Sequence, residues 1–161
     1  MSSTTTATAE PAARYKAFRY RTRMEWRGGR AGDLASEGKP GFRVASPPEF
    51  KGEAGVWTPE DLLVAAVNGC TMTTFVAFSQ RLALPVQSYE CDAEGTLEFA
   101  EGSYRFTGVT LRPRIVVSDP SALPQVEKAL ADAHRSCIIS NSIRAKVVLE
   151  PTFEVLALGL P

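Results

Sequence analysis

From residue 58 to residue 80 the only charges are Glu60 and Asp61, and most of the remaining residues are apolar. Thr58 is a good N-cap, and Pro59 stands at the first helical position, where a missing N–H costs nothing. Glu60 and Asp61 put carboxylates in the first turn, where the helix dipole favours them. The stretch predicts a long helix. Leu63, Ala66, Val67, Cys70, Thr74 and Ala77 follow the spacing of one buried stripe. Leu62, Ala65, Met72, Phe75, Val76 and Phe78 carry apolar character around the cylinder. A helix apolar on nearly all sides is a core helix or a membrane span. Asn68, Gly69 and the threonines leave no run of about 20 apolar residues, which favours a central helix wrapped by sheet or by another helix.

Elsewhere the period is two. Over 17–27, Phe18, Tyr20, Thr22, Met24 and Trp26 alternate with Arg19, Arg21, Arg23, Glu25 and Arg27, which predicts a half-buried antiparallel strand. Gly28-Gly29 makes a turn. Further strands are expected at 33–37 and 42–44, separated by the turn at 38–41, and 46–56 reads as loop. Over 89–99, Tyr89, Cys91, Ala93, Leu97 and Phe99 alternate with acidic residues in a strand interrupted near Gly95. Its acidic face, or that of the same strand in a dimer partner, is expected to neutralise the basic face of the first strand. Residues 104–117 form the next strand, with Gly108 as a bulge candidate. A second helix is expected over 121–135, its stripe marked by Leu123, Val126, Leu130, Ala133 and Cys137, followed by a short turn at 140–142. A closing strand over 146–149 and 153–156 bends at Pro151. The order βββ–α–ββ–α–β predicts an α+β domain with an antiparallel sheet.

Composition adds limits. The chain has 161 residues, 18 basic and 18 acidic, so no global field draws it to nucleic acid or to a membrane surface. The small polar residues 1–13 lack the pattern of a secretory signal and read as a disordered leader to a single domain over 14–161. Three cysteines at 70, 91 and 137 form neither a disulfide framework nor a zinc-ligand spacing, and cytoplasmic residence is the expectation. One histidine, His134, leaves little room for His-based catalysis or for a metal site.

The cysteines are the candidate chemistry. A buried cysteine is usually a small hydrophobe, and Cys91, inward on a strand, reads that way. Cys70 and Cys137 differ, since each lies on a core stripe among polar neighbours. Asn68, Gly69 and Thr71 flank the first, and Ser136, Ser140 and Asn141 surround the second. The two are expected to approach in one pocket, walled by the apolar helix and by aromatic residues such as Phe42, Trp57 and Phe75.

TPEDLLVAAVNGC, followed much later by SCIISNSI and preceded by WRGGRAG, resembles the OsmC/Ohr family, named for osmotically inducible protein C and organic hydroperoxide resistance. The resemblance covers roughly 15–155. Two positions depart from the family pattern: Thr71 stands where an aromatic is common, and Ile138 where a proline is. The chain is accordingly similar to the broad OsmC-like branch. The resemblance implies an intertwined homodimer with its sheets wrapped around the central helices, and a cysteine peroxidase acting on organic hydroperoxides. It implies peroxidatic Cys70, resolving Cys137, and supporting roles for Arg30 and Glu60. It implies no bound cofactor, and an external dithiol reductant such as a lipoyl protein.

The implied chemistry is physically coherent. A free thiol is only a few per cent ionised at neutral pH, and a guanidinium within about 4–6 Å favours the thiolate. Arg30 is the candidate cation, and Glu60, which cannot help by charge, would hold it in a bidentate pair. On one continuous helix the Cα atoms of Glu60 and Cys70 lie about 15 Å apart. Either the helix breaks between them, or Glu60 of one subunit serves Cys70 of the other. Two other classes compete: a binding or redox-sensing protein for a small apolar ligand, and a purely structural dimer.

Overall fold

The chain is described by a computed structural model over residues 15–156. The leader expected at 1–13 lies outside them. The central helix, α1, runs Pro59–Arg81 and begins as its sequence predicts. Thr58 Oγ1 accepts from the Asp61 N–H at 3.1 Å, and Asp61 Oδ2 accepts from the Thr58 N–H at 3.0 Å. This reciprocal capping satisfies two donors that a helix start would otherwise strand.

Three short strands precede it: β1 (Arg23–Trp26), β2 (Ala31–Ala35) and β3 (Phe42–Ala45), joined as an antiparallel sheet in that order. At the first turn Gly28 and Gly29 have φ of 97° and 53°, a region that a side chain disfavours. The strand expected over 17–27 is therefore only its last third, and every residue of β1 is exposed rather than half-buried. A 3-10 turn at Pro48–Phe50 interrupts the loop before α1.

After α1 come two long strands, β4 (Val86–Ala100) and β5 (Ser103–Val117), paired antiparallel along their whole length. A register shift at Thr96/Leu97 leaves Thr107 as the extra residue, a bulge beside Gly108. Gly95 does not interrupt β4. A Cβ there would lie 2.6 Å from Val64 Cγ2 and 2.7 Å from the Phe106 ring, so the glycine lets α1 sit close on the sheet. The acidic face of β4 is neutralised by β5, not by the N-terminal strand. Arg114 pairs with Glu90 at 2.7 Å, and Arg112 with Glu94 at 2.9 Å. The neighbouring strand offers the opposite charge directly across from Glu90 and diagonally from Glu94, and β1 belongs to another sheet.

The second helix, α2 (Leu123–Ser136), follows a 3-10 turn that Asp119 caps through the Ser121 N–H. The chain closes with β6 (Lys146–Leu149) and β7 (Thr152–Val155). Both lie along β5 and run parallel to it, so the larger sheet is mixed rather than wholly antiparallel. Pro113, fully buried in β5, falls in the gap where β6 gives way to β7, where it is not called on to donate to that edge. The architecture is α+β, with α1 and α2 packed on the sheet.

The core lies between helices and sheet in two clusters. Phe75, Ile115, Val117, Val126, Ala129, Leu130 and Ala133 form one, and Val67, Val109, Leu111 and Ala145 the other. On α1 the buried residues are Val67, Thr71, Phe75 and Ser79. The expected stripe is thus rotated: Ala66 and Ala77 are exposed, and Cys70 sits at the edge of the buried face. With apolar residues on all sides, periodicity could not choose the inward one. By length and composition α1 would also fit a membrane span, but this stripe seats it on the sheet and α2.

Candidate active site

Two elements meet at the cysteine pair. Cys70 projects from the middle of α1, partly exposed, and Cys137 caps the C-terminus of α2, fully buried. The Cys70 thiol adjoins Cys137 closely enough to act on its ionisation. No disulfide joins them. α2 ends at Cys137 because the backbone there turns extended (φ −65°, ψ 111°). The following residues fold back in a tight turn, with the Asn141 N–H donating to the Cys137 carbonyl at 3.0 Å. That turn aims Ser140 at the sulfur: its N–H stands 3.4 Å and its hydroxyl 3.1 Å from Cys137 Sγ. From α1, the Thr71 hydroxyl lies 3.6 Å away and also 3.0 Å from the Val67 carbonyl. Burial pushes the Cys137 thiol up, but the Ser140 hydroxyl and N–H, with Cys70 and Thr71, bring it below the usual thiol value.

Around Cys70 the bonds go elsewhere. The Thr74 and Thr73 hydroxyls donate to its backbone carbonyl, at 2.8 and 3.1 Å, and so bond the helix rather than the thiol. Cys91 is separate from the pair. It packs against the Val67 cluster, and burial pushes its thiol up.

Arg30 is exposed, and its guanidinium donates to the Phe50 carbonyl, tying the first turn to the 3-10 turn. Among the described residues no ion pair joins it to Glu60. Glu60 Oε2 is buried with no hydrogen-bond partner. It faces a cleft of about 790 Å³ between the loop before α1 and the β4–β5 hairpin, lined by Phe50, Val64, Leu97, Tyr104 and Phe106 among others. Because α1 is unbroken, Glu60 and Cys70 of one chain stay about 15 Å apart along it.

The three aromatics expected to wall a shared pocket are dispersed. Phe75 is 0% exposed within the core. Phe42 lines a cavity of about 470 Å³ with Tyr20 and Leu34, at the far end of the N-terminal sheet. Trp57 is 54% exposed, bridged through its backbone to Val44. Alternation and hydrophobicity offer no means of separating core aromatics from cleft aromatics. The cleft residues Phe50, Tyr104 and Phe106 escape sequence reasoning because each reads as an ordinary strand or loop residue. Ser140 and Thr71 are visible as unusual polar neighbours. The contact of Thr71 with the other cysteine, 66 positions away, is not.

A model of the family described as OsmC-like protein matches residues 52–152. An uncharacterised protein of Bacillus subtilis, YmaD, is 25% identical over 110 residues, covering 66% of this chain and 73% of its own. An OsmC-like protein of unknown function from Vibrio cholerae superposes with a TM-score of 0.77 at 27% identity, over 84% of this chain and 100% of that one. An organic hydroperoxide resistance protein OsmC from Legionella pneumophila shares the fold, with a TM-score of 0.68 at 24% identity over 86% of this chain and 98% of that one.

Proposed function

The chain belongs to the OsmC-like protein family, and we propose on that ground that it is a cysteine peroxidase reducing organic hydroperoxides to alcohols in the cytoplasm. The observation that carries this reading is the meeting of the two cysteines' elements: the hydroxyl of Thr71, the residue after Cys70, lies 3.6 Å from Cys137 Sγ, and no disulfide joins the two thiols. The Cys70 thiolate attacks the O–O bond, takes one oxygen as a sulfenic acid, and releases the alcohol with a proton. The Cys137 thiolate then attacks the Cys70 sulfur. The S–O bond breaks, hydroxide leaves as water with a proton, and a disulfide remains. An external dithiol of the lipoyl kind returns two electrons and two protons.

Cys70 still needs a cation. Within one chain Arg30 is occupied by the Phe50 carbonyl and Glu60 has an unpartnered oxygen. A two-fold dimer answers both needs if its central helices pack together and each site draws residues from both chains. The uncovered apolar positions Ala65, Ala66, Met72 and Ala77 of α1 support that arrangement. A second reading, binding of a small molecule without turnover, is favoured by the cleft at Glu60, which joins an aromatic and aliphatic wall (Phe50, Val64, Tyr104, Phe106) to the carboxylates Glu49, Glu53, Glu60 and Asp61 and includes neither Cys70 nor Cys137.

Thiol titration around one equivalent of cumene hydroperoxide separates the two. The peroxidase loses two of its three thiols and forms one alcohol. Cys70→Ser abolishes this, while Cys91→Ser leaves it intact. Retention of all three thiols selects the binder.

A further inference from the structure

The cysteine that the chain itself equips for ionisation is Cys137. Its sulfur is fully buried, which disfavours charge, and it stands at the C-terminal end of α2, where the dipole disfavours an anion. Against both, three hydrogen-bond donors converge on it: the Ser140 N–H, the Ser140 hydroxyl and the Thr71 hydroxyl. A neutral thiol is a weak acceptor, so such a convergence repays its ordering chiefly when the sulfur is negative. The two hydroxyls are unequal. Thr71 has one proton and a nearer acceptor in the Val67 carbonyl, at 3.0 Å. Among the described contacts, the Ser140 hydroxyl donates to Cys137 alone. The one titratable side chain among the groups acting on Cys137 is Cys70, on α1; no basic or acidic side chain is among them.

We propose that Ser140 is a positioning residue that holds Cys137 as the thiolate which closes the disulfide with Cys70. Its place in the cycle rests on the peroxidase reading; the thiolate itself rests on the contacts of the turn after α2. The two sulfurs then divide the labour. Cys70, partly exposed, meets the oxidant, and Cys137, sealed from bulk water, waits ionised for the electrophilic sulfur that results. In the closing step its lone pair forms the S–S bond while the S–O bond of the sulfenic acid breaks. The departing hydroxide takes up a proton as water. A resolving sulfur that is already a thiolate shortens the life of the sulfenic acid and protects it from a second peroxide.

Two measurements test this without relying on peroxide turnover. In the full chain carrying Cys70→Ser and Cys91→Ser, Cys137 is the sole thiol, and its ultraviolet thiolate absorbance is titrated with pH. Adding Ser140→Ala is expected to raise the midpoint by about one pH unit, a tenfold loss of thiolate at a given pH below it, and Ser140→Thr restores it. Separately, Cys70 is converted to a mixed disulfide with a coloured aromatic thiol, and the release of that thiol by Cys137 is timed. Ser140→Ala is expected to slow release about tenfold at neutral pH, with recovery at higher pH. A midpoint and a release rate unmoved by Ser140→Ala overturn the proposal. So does failure of Ser140→Thr to restore them, which would mark the serine as merely structural. A chain that passes both tests yet consumes no hydroperoxide loses the peroxidase reading and keeps this one.

Discussion

The two helices contribute one cysteine each and are covered very differently. On α2, Val126, Ala129, Leu130 and Ala133 are buried, and Glu127, Lys128, Ala131 and Arg135 face water. Its inventory closes within one chain. On α1 the buried residues are Val67, Thr71, Phe75 and Ser79, while Ala65, Ala66, Met72 and Ala77 are equally apolar and uncovered. No charge interrupts that outer face between Asp61 and Arg81. A hydrophobic pattern records everything a helix buries in its final assembly. Where the pattern is wider than the contacts one chain makes, the surplus points to a further surface. Cys137 sits on the helix whose environment is complete, and its ionisation is set by neighbours in the same chain. Cys70 sits on the helix whose apolar outer positions are exposed in the single chain.

Matched alanines break or sharpen this contrast most directly. Ala66 on α1 and Ala131 on α2 are both exposed in the single chain. Ala66→Glu would bury one unpaired carboxylate from each subunit of a two-fold interface, at several kcal/mol each, roughly 6 kcal/mol or more together. Dissociation to monomers in sedimentation is the expected outcome. Ala131→Glu should stay within about 0.5 kcal/mol of the parent. If both variants sediment like the parent, the outer face of α1 is not an interface.

Phe75 supplies the next effect. By sequence it reads as a pocket wall, yet it packs in the core with Ile115 and Leu130. Phe75→Ala should cost about 3–5 kcal/mol in urea unfolding. The ratio of rates with cumene hydroperoxide and hydrogen peroxide should hold at a temperature where the variant is folded. A changed ratio without lost stability would return Phe75 to the substrate.

These residues mark what sequence can carry. Caps and turns were legible at Thr58 and at Gly28-Gly29, because their chemistry is local and one residue type meets the need. The stripe of α2 was legible because its opposite face is charged. The stripe of α1 was misplaced because no charge between Asp61 and Arg81 marked an outward side, and threonines and serine fall on both the buried and the exposed faces. The parallel pairing of β6 and β7 with β5 was hidden, since a strand's own alternation does not report its neighbour's direction. At the candidate site, the polar residues that surround the two cysteines were visible in the sequence, and Ser140 and Thr71 among them do contact Cys137. The engagement of Arg30 by the Phe50 carbonyl was not, because a carbonyl acceptor leaves no mark in residue type.

The smallest effect belongs to the charged face that α1 lacks. On α2, Asp132 accepts from Lys128 at 2.9 Å, four residues earlier, and pairs with Arg135. The hydrogen bond from Lys128 comes first among the causes that hold its carboxyl below the usual range; burial opposes it, and the charges of Lys128, Arg135 and Arg81 assist. A carboxylate whose folded pKa is depressed contributes stability that is present above its unfolded pKa, about 3.9, and lost as pH falls through the folded value. Asp132→Asn should therefore unfold slightly earlier than the parent in urea at neutral pH. The two midpoints should converge as pH drops below about 4, and added salt should narrow the neutral-pH gap because the pair is solvent-screened. A gap that persists unchanged into acid would mean that Asp132 acts through its shape on the helix rather than through its charge.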